Sequence, residues 1–262
     1  MDLEPQLKIA LKAIMEASQI IMDVYRNDFK VRLKEDLSVV TIADIQSDQK
    51  IREILTSAYP SYGILSEETA DNKERLNKDF CWIVDPLDGT KDFVNKTNEF
   101  SINIALAYKG KIVLGVIAVP YVNTIYYAME GLGTFKIENN IVKKIHVNDK
   151  QKDYTLFVSN FFFKEEEFDK IPNNTLINQT MKCGSSLKAC KIAEGMGEIC
   201  IKFDEHTKEW DTAPSEIIIK EAGGCMSDIY GNENMYNKKD VVNHKGFIIA
   251  NSRQTLEKFI IK

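Results

Sequence analysis

An apolar run, Trp82-Ile83-Val84, leads straight into two carboxylates split by a proline and then into a glycine, in the segment Asp85-Pro86-Leu87-Asp88-Gly89-Thr90-Lys91-Asp92. Pro86 fixes its own φ and pushes Asp85 toward extended backbone, while Gly89 permits a turn that a bulkier residue would resist. Two acids held at the end of a buried strand make a cation cradle. Carboxylates are hard oxygen ligands suited to magnesium, and magnesium in protein sites usually works on phosphate. An ordinary Asp-Pro turn with a solvated second Asp would carry the same letters. Upstream, Tyr62-Gly63-Ile64-Leu65-Ser66 reads as a short strand ending in the adjacent acids Glu67 and Glu68. Like charges there repel and are costly to desolvate, so the pair is either exposed or shares a cation. Downstream, Asp211 in Glu209-Trp210-Asp211-Thr212-Ala213-Pro214 precedes the apolar-periodic Ile217, Ile218, Ile219 and Ala222. Taken alone, it reads as a helix N-cap.

The elements that must position these acids are legible as periodicities. Leu7, Leu11, Ile14, Met15, Ile21 and Met22 fall near one helical face, giving a first helix to about Tyr25. A second helix opens at Thr41 and Asp44, a capping-box variant with Asp for Glu, and continues through Ile51, Ile54, Leu55 and Ala58. Ser101 to Tyr108, Ile112 to Val119 and Thr124 to Ala128, with Lys109-Gly110 as a turn, read as a sheet meander. From about Tyr154 shorter elements alternate: a strand at Leu156 to Ser159, a helix from Ser186 to about Gly195, a strand at Ile199 to Phe203, a helix after Trp210 and a strand at Phe247 to Asn251. That alternation suggests an α/β lobe after an α+β one. The polar, basic stretch Lys136 to Lys152 marks the boundary, giving an N-terminal lobe over 1–145 with most of the acids and a C-terminal lobe over 146–262 with Asp211. The aromatic run Phe161-Phe162-Phe163 is either core and lid or a base-stacking platform, the former being commoner.

Composition narrows the function class. The chain has 262 residues, is 44% hydrophobic and carries a formal charge of −5, enough for a substantial core and against nucleic acid or an anionic membrane as its main partner. It has no apolar stretch long enough to span a bilayer, and Met1-Asp2-Leu3-Glu4-Pro5 lacks the basic start of a secretory signal. Cys81, Cys183, Cys190, Cys200 and Cys225 form an odd set without Cys-x-x-Cys spacing, which reads as reduced thiols in a cytoplasmic protein. His146, His206 and His244 make no metal-binding pair, so phosphohistidine and zinc chemistry are not expected.

In order and spacing, Glu67-Glu68, Asp85-Pro86-Leu87-Asp88-Gly89-Thr90 and Trp210-Asp211 resemble the three signature segments of the inositol monophosphatase superfamily of lithium-sensitive, magnesium-dependent phosphatases. Within it the chain is similar to the 3'(2'),5'-bisphosphate nucleotidases, through Thr90-Lys91-Asp92-Phe93, Asn98-Glu99-Phe100-Ser101-Ile102-Asn103-Ile104-Ala105-Leu106, Gly184-Ser185-Ser186-Leu187-Lys188 and Trp210-Asp211-Thr212-Ala213-Pro214. The resemblance implies a layered αβαβα sugar-phosphatase fold and two or three magnesium ions. Glu67, Asp85 and the Leu87 carbonyl would hold one ion, Asp85, Asp88 and Asp211 a second, with Glu68 an outer ligand of a weaker site. Thr90 with Asp44 behind it would orient the attacking water, Glu67 completing the catalytic group, while the amides of Gly89 and Thr90 face the phosphate. A second substrate phosphate calls for extra donors and charge, which Gly184, Ser185, Ser186 and Lys188 would supply beside Asp211. The implied reaction removes the 3'-phosphate of adenosine 3',5'-bisphosphate, with an inositol monophosphatase of broad sugar-phosphate activity as the alternative. The partner would be a small phosphate ester and the enzyme a monomer or homodimer. Two segments depart from the pattern: Ser38-Val39-Val40-Thr41 lacks the usual proline, and Ser159-Asn160-Phe161-Phe162 replaces a basic Ser-Arg-Ser-His-like run.

Overall fold

A computed structural model describes residues 1–27, 30–33, 39–203 and 207–261; Ser38 and His206 lie outside the described residues. In the first half, α1 (Glu4–Tyr25), β1 (Val31–Leu33), β2 (Val39–Thr41) and α2 (Ile42–Ala58) precede β3 (Gly63–Ser66), β4 (Phe80–Asp88) and the short α3 (Thr90–Val94). Then come β5 (Ser101–Tyr108), β6 (Lys111–Val119), β7 (Thr124–Met129), β8 (Gly133–Glu138) and β9 (Ile141–Ile145). In the second half, β10 (Tyr154–Val158), α4 (Glu165–Asp169), β11 (Ile177–Lys182), α5 (Leu187–Ala193) and β12 (Ile199–Lys202) are followed by α6 (Glu209–Glu221), β13 (Cys225–Ser227), β14 (Phe247–Ala250) and α7 (Arg253–Phe259).

Strands β3 to β9 form one sheet in chain order, parallel only between β3 and β4, and a second sheet runs β11-β10-β12-β14-β13. Because strand side chains alternate sides, each sheet serves two layers. Trp82, Val84, Ile102 and Ile104 face the core under α1 and α2, whereas Cys81, Ile83, Ala105 and Ala107 face the one that holds α5 and α6. Phe157 and Ile249 reach that same central core from the second sheet, while Tyr154, Leu156, Ile248 and Ala250 pack outward against Leu256 and Phe259 of α7. The result is a layered α+β fold in the order helices, sheet, helices, sheet, helix.

Two differences from the sequence reading have local causes. On α1 the buried positions include Ala10, Ala13 and Ala17, whereas Met15 is 59% exposed, because small residues let α1 lie close to α2. The stretch from Lys136 is not linker throughout: β8 and β9 form a hairpin through Asn139 and Asn140, both at positive φ. As an edge strand exposed at four of its five positions, β9 carries no apolar alternation by which to be recognised.

Candidate active site

The ladder between β4 and β5 slips where the acids stand: Asp85 faces Asn103 and Asp88 faces Ser101, so β4 bulges at Pro86-Leu87. Proline cannot donate to a ladder, which favours a bulge there. The bulge is held from both sides. Leu87 N donates to Asp85 Oδ1 at 3.0 Å, and Ser47 Oγ on α2 donates to the Pro86 carbonyl at 2.9 Å. Gly89 then takes φ 85°, a left-handed value that favours glycine, and starts α3 at Thr90.

Asp85, Asp88 and Asp211 each offer a carboxylate oxygen, all within 4.8 Å of one another. Burial raises the Asp85 carboxyl well above the usual range, and the charges of Glu67, Asp88 and Asp211 raise it further. Asp211 is raised in the same way, by burial and then by Asp88 and Glu67. Such a set cannot stay fully ionised without a counter-charge, and its oxygens fit a hard divalent cation. Glu67 reaches the cluster because its amide extends the parallel ladder, donating to Val84 O at 3.2 Å one residue before Asp85. The half-buried Glu68 is not among the residues lining the cavity.

Helix α2 braces the cluster from behind through residues one turn apart. Asp44 Oδ2 accepts from Thr41 N and Thr41 Oγ1, each at 2.7 Å, completing the capping box. Its Oδ1 is left for Thr90 Oγ1 at 3.2 Å, a hydroxyl that also lies 3.3 Å from the Leu87 carbonyl. Burial raises the Asp44 carboxyl, the Thr41 hydrogen bonds oppose this, and Glu67 adds to it. One turn on, Asp48 accepts from Ser66 Oγ at 2.5 Å and Thr69 Oγ1 at 2.9 Å, gripping the chain on either side of Glu67 and Glu68. The sequence reading passed over Ser47 and Asp48; their three- and four-residue steps from Asp44 along the face of Ile51 and Leu55 are the signal that could have found them.

Asp211 does not cap α6 as the N-cap residue. Lys208 holds that position, and Asp211, three residues in, accepts from Lys208 N at 2.5 Å. Asp211 and Asp44 thus use the same device, one carboxylate oxygen fixed by the helix start and the other left to the site.

The two halves of the chain meet at Asp88, whose Oδ2 accepts from Ser186 N and Ser186 Oγ, both at 2.7 Å, and from Ser101 Oγ and Asn103 Nδ2. Asn103, fully buried, also donates to Ser186 Oγ at 2.9 Å and to Trp210 O at 3.3 Å. Neither Ser101 nor Asn103 was singled out as a site residue, although polar residues alternating on a buried strand are a usable signal. A Cβ on Gly184 would meet Glu99 O at 2.3 Å, so the loop before α5 passes where only glycine fits. Ser185 sits at φ 46° and its Oγ is buried without a hydrogen-bond partner. Strain and an orphaned hydroxyl of this kind gather at ligand sites. The Lys188 ammonium donates to the carbonyls of Ser185 at 2.5 Å and Cys183 at 3.3 Å, tying the loop to its own helix. Asn160 donates to Asp92 Oδ1 at 2.7 Å and Glu99 Oε2 at 2.8 Å. A cavity of about 630 Å³ opens over the acids, lined by Glu67, Asp88, Thr90, Ser186, Lys188 and Asp211 among others, Phe162 included.

Comparison with known proteins agrees with this geometry. The model of the inositol monophosphatase family matches residues 2–262. A 3'(2'),5'-bisphosphate nucleotidase CysQ of Aggregatibacter actinomycetemcomitans is 34% identical over 248 residues, covering 93% of this chain and 92% of that protein. A Nus factor SuhB of Pasteurella multocida is 31% identical over 238 residues, covering 87% of each. Among solved structures, CysQ from Bacteroides thetaiotaomicron superposes with a TM-score of 0.82 at 30% identity, covering 94% of this chain and 97% of that one. With its acids gathered as the signature segments require and its whole length matched, this chain belongs to the inositol monophosphatase family, whose members are metal-dependent phosphatases.

Proposed function

We propose that the protein is a magnesium-dependent phosphomonoesterase that removes the 3'-phosphate of adenosine 3',5'-bisphosphate, leaving AMP and inorganic phosphate. The single observation that carries the reading is the triad of buried Asp85 with half-buried Asp88 and Asp211 at a cavity whose walls offer hydroxyls and lysines. Glu67, Asp85 and the Leu87 carbonyl would hold one ion, Asp85, Asp88 and Asp211 another, and Glu68 an outer position. When bound, such cations supply the charge that activates water and offsets the anionic phosphate. The remaining work falls to the chain itself. Thr90 gives its proton to Asp44 Oδ1, so its lone pairs are free to accept from an attacking water and fix its line of approach. The raised Asp44 carboxyl is suited to take up the proton that water loses, relayed through that hydroxyl. The amides of Gly89 and Thr90 would meet the phosphate opposite, and Gly184, Ser185 and Ser186 would wall in the ester, with Lys188 holding their loop.

Similarity to relatives named 3'(2'),5'-bisphosphate nucleotidase supports the nucleotide substrate; recycling of a sulfate-assimilation by-product, a cytoplasmic location and lithium sensitivity belong to the same proposal. A second reading, an inositol monophosphatase of broad sugar-phosphate activity, is favoured by the likeness to a solved inositol monophosphatase from Zymomonas mobilis (26% identity, TM-score 0.80) and by Asn160, whose amide is spent on Asp92 and Glu99 where the resembled nucleotidases carry a base. Phosphate release from adenosine 3',5'-bisphosphate, inositol 1-phosphate, fructose 1,6-bisphosphate and AMP in magnesium separates them. Highest kcat/KM on the adenosine bisphosphate is expected; highest kcat/KM on inositol 1-phosphate would install the second reading.

A further inference from the structure

We propose that Arg75 and Glu209 are positioning residues of the acidic site, joined through the peptide Asn237-Lys238 into one brace that fixes the strand delivering Glu67 against the helix delivering Asp211. The proposal deepens the metal-dependent reading of the site and rests on it. Both residues are buried charges that the catalytic steps do not use, Glu209 being 0% exposed and Arg75 2%. A charge held that far from water needs a full set of partners, and the two find theirs on the same two residues. Glu209 Oε2 accepts from Asn237 N at 2.6 Å and its Oε1 from Lys238 N at 2.8 Å. From the other side, Arg75 donates to Asn237 Oδ1 at 2.6 Å and to the Lys238 carbonyl at 2.9 Å, while Asn237 Nδ2 donates back to the Arg75 carbonyl at 3.2 Å. Asp71 accepts from the remaining guanidinium edge, from Nε at 3.1 Å and Nη2 at 2.8 Å.

Each end of the brace reaches a candidate ligand. The Arg75 backbone packs on Gly63, where a Cβ would meet the Arg75 Cα at 2.9 Å, and Gly63 opens β3, which ends immediately before Glu67. Glu209 is the first residue of α6, two before Asp211, and its amide also donates to Val241 O at 2.9 Å. Glu67 and Asp211 come from separate halves of the chain and their charges repel, so a tie behind them is needed to set their separation. Magnesium tolerates little error in ligand placement, its bonds being about 2.0–2.1 Å long in near-octahedral geometry. A tie that lies outside the cavity therefore acts on metal affinity before it acts on chemistry.

Calorimetric titration of the chelator-treated protein with magnesium chloride, without substrate, reads the brace directly. Glu209→Gln keeps the volume but cannot accept from both amides, and Arg75→Met keeps the stem but loses every donor. Each should weaken magnesium binding about tenfold, the lower end of what support behind a metal ligand contributes. In steady-state kinetics the magnesium concentration for half-maximal activity should rise by the same factor, with kcat at saturation within about threefold of wild type. The double variant should bind no more weakly than the worse single one, because a single brace is broken once. Should Arg75→Met fail to fold, Asn237→Gly cuts only the side-chain link, at a φ of 56° that glycine accepts, and should weaken binding about threefold. Phe259→Leu on α7 is the control for stability alone, with a lowered melting temperature and unchanged magnesium affinity expected. Wild-type affinity in Glu209→Gln and Arg75→Met, losses that multiply in the double variant, or an equal loss in Phe259→Leu would overturn the brace. A wild-type protein that binds no magnesium would remove the metal reading itself, and the brace with it.

Discussion

Asp85 is the residue on which the site turns, being 1% exposed and surrounded by three other acids that all raise its carboxyl. Asp85→Asn removes the charge between them and leaves a poorer oxygen ligand, so turnover should fall at least 1000-fold while the fold survives. Steady-state kinetics in saturating magnesium, with circular dichroism as the control, check this; activity near wild type would remove the metal reading. Asp211→Asn separates two roles of one side chain. As the carboxylate that accepts from Lys208 N, it can be replaced at a cost of about 1 kcal/mol or less of stability. As a ligand it cannot, so a near-silent melting temperature with a collapse in kcat/KM is expected, and a silent kinetic result would reduce Asp211 to a cap. Lys188→Ala has a different signature from the one its charge alone suggests. Its ammonium holds the Ser185 and Cys183 carbonyls, so its loss should loosen the loop and lower kcat/KM for bisphosphate and monophosphate alike, by about tenfold. A loss confined to the bisphosphate would instead put Lys188 on the second phosphate.

At the scale of elements, α2 does more than cover the sheet. Asp44, Ser47 and Asp48 lie on one face, touching in turn Thr90, the Pro86 carbonyl, and Ser66 with Thr69. A helix is stiff along its length, so the helix fixes Thr90 and the chain around Glu67 relative to each other. Asp48→Ala should free the chain around Glu67, raising the magnesium concentration for half-maximal activity by about 10- to 100-fold while kcat at saturation falls less, as lost support behind a metal ligand does. Equal magnesium requirements in the two proteins would assign Asp48 to stability alone. The helix itself was legible in the sequence from its capping box and apolar period, but its service to two loops was not, because the partners stand 18 to 46 residues away along the chain.

At the scale of the whole molecule, the burial of several acids at one junction couples stability to pH and to cations. Asp44, Asp85 and Asp211 all have carboxyls raised first by burial and further by neighbouring acids, Glu67 among them in each case, so the folded state holds their protons more tightly than the unfolded chain does. Stability from these groups is therefore present below the unfolded carboxylate range, about pH 4, and is lost as pH rises through the raised values. In chelator, the melting temperature should fall with rising pH over that window. Magnesium should restore it, with a larger increment at pH 7.5 than at pH 5. A magnesium increment that is the same at both pH values would mean that the acids are not the ion's ligands.

What the sequence determined by itself was local: the strand-to-acid junctions at Glu67 and Asp85, the capped start of α2, and the meander from Ser101. Each is written within a few residues, as a period, a proline or a cap. Only the tertiary structure decided which polar residues on separate elements meet. Asn103 reaches Trp210, Ser186 reaches Asp88 across the two halves, and Lys91 and Lys202 share the ring of Phe162. It also decided that Lys188 serves its own loop, because where an ammonium points depends on which carbonyls the folded loop presents, and that geometry has no signature in the order of residues. The edge strand β9 escaped for a related reason: with both faces largely wet, nothing in its composition distinguishes pairing with β8 from a solvated linker.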